Sequence, residues 1–151
     1  MNLNADTSEL SDVLYHACFP DSIEKILEEG LKPGEDGYVH LCNSVESAAG
    51  FVAVRDFVSL KGISVKTEEG IETVVVDRQR HNHACVIAVS TVALDIDKLS
   101  INERDASAVE AGALPSDLVS YRYAEPIAVQ HVVYLDDVHR GEKRLHQCFE
   151  P

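Results

Sequence analysis

Three residues stand out because their chemistry is out of place in the apolar runs that carry them. His16 lies in VLYHACF, between Tyr15 and Ala17 and just ahead of a helix start. His40 lies in YVHLC. Strand alternation there puts Tyr38, His40 and Cys42 on one face and Val39 and Leu41 on the other, a polar face on an otherwise apolar strand. Glu125 lies in YRYAEPIAV between two strand-like runs, the place of an edge residue or of a site carboxylate. A second group is weaker. His81 and His83 alternate in RHNHAC, and such a pair on a strand can bind metal, but no third ligand has a recognisable spacing to it, so no metal is expected. Cys18 and Cys42 sit near the two histidines and are candidate nucleophiles, although buried strand thiols are generally inert. His131, His139 and His146 follow no pattern. The chain has no serine elbow, phosphate-binding glycine loop or HExxH, and its glycines are scattered singly, which argues against a Rossmann dinucleotide site.

The elements that would position these residues can be read along the chain. Residues 1–10 are a polar lead. Residues 13–19 read as a buried strand. Asp21, with Glu24 three residues on, reads as a capping box opening a helix whose Ile23, Ile26 and Leu27 share a face and which Gly30 ends. Residues 38–42 read as a second strand, and Ser44 caps a second helix running to about Leu60. Residues 61–70 look like a loop, 71–77 a strand, 78–83 a polar turn and 84–94 the strongest strand. Residues 95–118 look irregular or partly helical. Residues 119–124 and 127–135 read as strands broken at Pro126, which cannot donate to a central ladder. The tail from Asp136 is charged and expected to be mobile. Helices early and strands late predict an α+β fold. A single domain over 1–151 is expected, with a core of about 13–136 and a charged tail over 137–151.

Charge narrows the partners. With 26 acids against 13 bases the formal net charge is −13, and residues 1–36 alone carry −7. No basic face suits phosphate neutralisation on a duplex, so a large nucleic-acid footprint is disfavoured, as is an anionic membrane surface. The polar N-terminus does not resemble a signal peptide, and no apolar run approaches the ~20 residues of a membrane span. With four cysteines lacking paired spacing, a cytoplasmic location with reduced thiols is expected.

Four segments in order resemble the ADP-ribosyltransferase superfamily: LYHACFPDSIEKILEEGLKP, YVHLCNSVESAAGFV, VIAVSTVALDIDKL and YRYAEPIAVQHVVYL. The "VHL" strand is similar to the RNA 2′-phosphotransferase branch, and the "AE" segment to DarT-like DNA-modifying toxins. The resemblance implies a split arrangement of mixed or antiparallel sheets with two helices in the N-terminal half. It implies an enzyme that cleaves the nicotinamide–ribose bond of NAD and transfers ADP-ribose to an unspecified acceptor. The family's His–Tyr–Glu triad would fall on His16, His40 and Glu125. His16 would bind the adenosine ribose, the Ala17 backbone the nicotinamide amide, and His40 would stack on the nicotinamide ring in place of tyrosine. Glu125 would hydrogen-bond the nicotinamide ribose and favour an oxocarbenium-like transition state, where a fixed carboxylate acts most.

Arg55, Arg78 and Arg80 are the guanidinium candidates for the diphosphate. Three departures weigh against a simple transfer of function. The usual His-Gly-Thr/Ser is His16-Ala17-Cys18, the tyrosine position is His40, and Tyr123-x-Glu125 replaces the Glu-x-Glu of arginine-specific enzymes. They leave two alternatives, a non-catalytic binding or inhibitory module on the same fold and an RNA 2′-phosphotransferase-like enzyme. Given the charge, the acceptor is expected to be neutral or basic.

Overall fold

The computed structural model describes residues 11–113 and 119–142. The polar lead 1–10, residues 114–118 of the irregular segment, and residues 143–151 of the expected tail, with His146 and Cys148, lie outside them. The elements are β1 (Val13–Cys18), α1 (Pro20–Glu29), β2 (Val39–Cys42), α2 (Val45–Ala53), β3 (Val58–Thr67), β4 (Gly70–Arg80), β5 (His83–Ser90), β6 (Leu99–Ile101), α3 (Glu103–Glu110), β7 (Ser120–Tyr123) and β8 (Val132–His139). The fold is α+β, and every strand pairing among the described residues is antiparallel.

Six strands form one sheet in the order β6-β7-β2-β1-β5-β8, and β3 and β4 form a separate hairpin. The joint at the middle of the six is narrow. β1 runs against β5 from Val13↔Ser90 to Cys18↔Cys85, and β2 against β7 from Val39↔Tyr123 to Cys42↔Ser120. Between β1 and β2 the register holds only Tyr15↔Cys42. The sheet is thus two three-stranded halves that part beyond that pair.

Alternation along β1 and β5 sends side chains to two apolar layers. Leu14, Ile87 and Val89 join Leu41, Tyr121 and Tyr123 on one face, with Ile23 and Ile26 of α1 packed against them. Tyr15, Ala17, Ala84 and Val86 face the other way, against Ala49 and Val52 of α2. The two helices therefore cover opposite faces of the sheet.

Helix α1 starts two residues before the sequence reading placed it. Phe19 is the N-cap, with extended backbone and no side-chain cap, and Pro20 opens the helix. Proline's fixed φ and missing N–H suit that position, so the expected Asp21–Glu24 box does not form, and Asp21 sits in the positive first turn. Gly30 ends α1 at φ 82° and is doubly constrained, because a Cβ there would lie 2.2 Å from the Ile127 carbonyl oxygen. That closeness follows from the Leu31–Ile127 bridge, whose two backbone hydrogen bonds are 2.9 and 2.8 Å.

Ser44 caps α2, its hydroxyl accepting from the Ser47 N–H at 3.0 Å. α2 ends at Ala53, not near Leu60. The chain reverses through Asp56 and Phe57, both left-handed, with the buried Phe57 ring as the anchor. Residues 61–70, expected as loop, belong to the β3–β4 hairpin, as do 78–80 of the expected polar turn. Most hairpin side chains are exposed, including Leu60, Ile63, Ile71 and Val74. β5 stops at Ser90 and passes into a 3₁₀ turn at Thr91–Ala93. Residues 136–139, expected in a mobile tail, complete β8, where Val138 is fully buried.

Candidate functional site

A cavity of about 390 Å³ opens where β1 and β2 part. Its lining includes Tyr15, His16 and Ala17 of β1, His40 and Cys42 of β2, and Phe51 and Arg55 at the end of α2. That volume lies within the ~300–1,000 Å³ of small-molecule sites. Six residues singled out in the sequence, His16, Ala17, Cys18, His40, Cys42 and Arg55, therefore share one site.

His16 takes a hydrogen-bonding position between the strands. Its Nδ1 lies 2.7 Å from the His40 backbone oxygen. A carbonyl only accepts, so Nδ1 carries the proton and donates. Burial is the largest influence on the ring and pushes its pKa below the usual histidine value, against the opposing effect of the carbonyl. The ring is thus neutral, and its Nε2 presents a lone pair, an acceptor suited to a hydroxyl or an amide N–H.

His40 is held from its own loop. Its Nε2 is 2.6 Å from Asp36 Oδ2, while Asp36 Oδ1 accepts from the Tyr38 N–H at 3.1 Å. The His40 hydrogen bond, first among several causes, holds the Asp36 carboxyl below the usual range. His40 pairs with Arg122 across the β2–β7 ladder, so the two side chains leave the same face. The Arg122 guanidinium lies 4.8 Å from the Tyr38 ring centroid, and its Nε is buried with no hydrogen-bond partner among the described residues. Asn102 and Ser120 line the far wall. Asp105 fixes that wall, accepting from the Ser120 N–H at 2.7 Å and from its hydroxyl at 2.5 Å.

A second, larger cavity of about 960 Å³ adjoins the first at the foot of the hairpin, and Phe19 and Arg55 line both. Arg78 and Lys61 line this second space together with Asp21 and Asp77. Arg80 lines neither, and pairs with Asp56 at 2.5 Å.

Glu125 also stands outside both cavities, just beyond β7. It forms an ion pair with Lys98 and takes a 3.5 Å contact from the Tyr123 hydroxyl. The hydrogen bond to Glu125 raises the Lys98 pKa. The structure thus groups His16 with His40 and leaves Glu125 with a partner of its own.

Cys18 and Cys42 are buried, and burial pushes each thiol up to about 12. They are protonated, in keeping with the inertness expected of buried strand thiols. Asp36, Arg122, Asn102 and Ser120 were not singled out in the sequence. Only Asp36 had a local signal, four residues before His40 in a turn-forming stretch.

No helix among the described residues is long and apolar enough to cross a membrane. No protein-family model and no curated protein matches the chain.

Proposed function

We propose that the chain is an NAD-consuming, ADP-ribosyltransferase-like enzyme with its dinucleotide in the cleft between β1 and β2. One observation carries this reading: the sheet parts at Tyr15↔Cys42, and a neutral His16, tied to the His40 carbonyl, lines the opening. A neutral imidazole with a free acceptor nitrogen suits a ribose hydroxyl. The Ala17 backbone lies beside it for the nicotinamide amide, and the His40 ring, steadied by Asp36, for stacking on nicotinamide. Arg55 is the diphosphate residue, because it stands on the wall common to the two cavities. Arg78 is within the second space, and Arg80, held by Asp56, is the least suited of the three.

Glu125 supplies the carboxylate. Cleavage of the nicotinamide–ribose bond develops positive charge on the sugar, and a carboxylate beside it stabilises that charge in the transition state. In this reading Glu125 exchanges Lys98 for the ribose when NAD binds. The acceptor is neutral or basic, in keeping with the −13 charge, and the site is cytoplasmic.

Quantifying nicotinamide released from NAD tests turnover. The wild type releases it, and Glu125→Gln lowers the rate by roughly 10²–10³-fold while NAD still binds. Equal rates in the two proteins would remove Glu125 from the mechanism. The Lys98–Glu125 ion pair favours a second reading, a binding module on the same fold without turnover. That reading predicts NAD binding with no nicotinamide release by either protein.

A further inference from the structure

We propose a zinc site at the β8 edge of the sheet, away from the central cleft, made by His83 and Cys85 of β5 with Asp137 and His139 of β8. The ladder pairs His83 with His139 and Cys85 with Asp137. Residues two apart on a strand share a face, and so do directly paired residues on neighbouring antiparallel strands. The four side chains therefore stand as a square on one face. The ligand atoms of His83, Cys85 and Asp137 lie within 4.8 Å of one another, and the His83 and His139 rings are 5.4 Å apart.

The donor set selects the metal. Imidazole, thiolate and carboxylate together suit Zn²⁺ rather than Mg²⁺ or Ca²⁺, which take oxygen. Zinc bond lengths imply ligand atoms roughly 3.3–3.8 Å apart in a tetrahedron, so side-chain rotations can close the spacing of His83, Cys85 and Asp137, and His139 is the fourth donor by its place in the ladder. The Cys85 thiol proton leaves to solvent as the sulfur binds the ion. Cys85 is buried while His83 and Asp137 are half-buried, which leaves an entry path from the solvent side.

The surroundings are those of a supported site. The register shift between Val86 and Ile87 is accompanied on β8 by a step from Asp136 to Tyr134. That irregularity lets the Tyr134 hydroxyl reach Asp137, to which it donates a hydrogen bond. An outer hydrogen bond of this kind orients a metal-binding carboxylate. His81, the other half of the HxH pair, belongs elsewhere. Its ring stacks on Phe19 at 4.4 Å, and its Nε2 lies 2.8 Å from the Ser59 hydroxyl. The motif is therefore His-x-Cys on one strand and Asp-x-His on the next, and the ion ties β5 to β8.

Cobalt titration of the untagged, chelator-treated full chain, followed by zinc, tests the site. One equivalent of Co²⁺ is expected, with a thiolate-to-cobalt charge-transfer band and the visible absorption of a tetrahedral centre. Zn²⁺ is expected to displace it and raise the Tm. Cys85→Ser removes the charge-transfer band, and His83→Ala and Asp137→Asn each weaken binding by more than about tenfold. His131→Ala, at an exposed position off this face, changes neither. The two half-buried positions keep the test decisive if Cys85→Ser does not fold. Failure to take up one equivalent, or an unchanged spectrum and affinity in His83→Ala and Asp137→Asn, would overturn the proposal.

Discussion

His16 donates its Nδ1–H to the His40 carbonyl across 2.7 Å, just where the β1–β2 ladder stops. A side chain takes a position that strand pairing leaves, and the same bond sets the tautomer of a ring that lines the cleft. The bond makes stability depend on pH. Burial lowers the folded-state pKa of His16, so the unfolded chain takes up the proton first as pH falls. The contribution is complete above the unfolded value of about 6.5 and is lost as pH falls from there toward the lowered folded value. The Tm difference between wild type and His16→Gln should therefore shrink as pH is lowered through about 6.5. A difference independent of pH would contradict the neutral assignment.

Gly30 carries a separate prediction, on the link between α1 and the Ile127 segment. Gly30→Ala places a Cβ against backbone at a left-handed position. The substitution should cost more than about 1 kcal/mol in denaturant unfolding. A neutral result would mean that the Leu31–Ile127 bridge yields easily.

Cys18 and Cys42 should resist alkylation in the folded protein. A pKa of about 12 leaves, at pH 8, roughly three orders of magnitude less thiolate than an ordinary cysteine, and burial blocks access as well. Peptide-resolved mass spectrometry after iodoacetamide treatment should show both unmodified until denaturant is added. Rapid native modification of either would restore it as a candidate nucleophile.

Ser44 should matter through the cleft wall that α2 forms. Removing its hydroxyl in Ser44→Ala frees the Ser47 N–H and should destabilise the protein by about 1 kcal/mol. Thermal or urea unfolding gives that number directly.

Local signals made part of this legible in the sequence. VLYHACF, the Ser44 cap and the Gly30 stop each rest on neighbours a few residues away, and all three stand in the structure. Of the β3–β4 hairpin only the 71–77 strand was legible, because most of the hairpin's side chains face solvent and burial imposes no period on them. Nor was the His83–Cys85–Asp137–His139 square, which exists only once β5 pairs with β8. His16 and His40 were legible as polar residues in apolar strands, whereas their direct link was not, since it depends on the strands parting. Glu125 drew notice by its type, but its Lys98 partner comes from the segment before β6 and leaves no local trace.

The central claim is that the β1–β2 cleft binds NAD. Calorimetric titration of NAD into the wild type and into Arg55→Ala and His16→Ala tests it most directly. Arg55 is exposed, so its variant reports binding without disturbing the core. The account predicts saturable heat at one site in the wild type, weakened at least about tenfold in Arg55→Ala, the loss of one charge-assisted contact being about 1.5–3 kcal/mol, and by a smaller factor in His16→Ala, where a neutral hydrogen bond of about 0.5–1.5 kcal/mol is lost. No saturable heat in the wild type, or equal affinity in all three proteins, would contradict it.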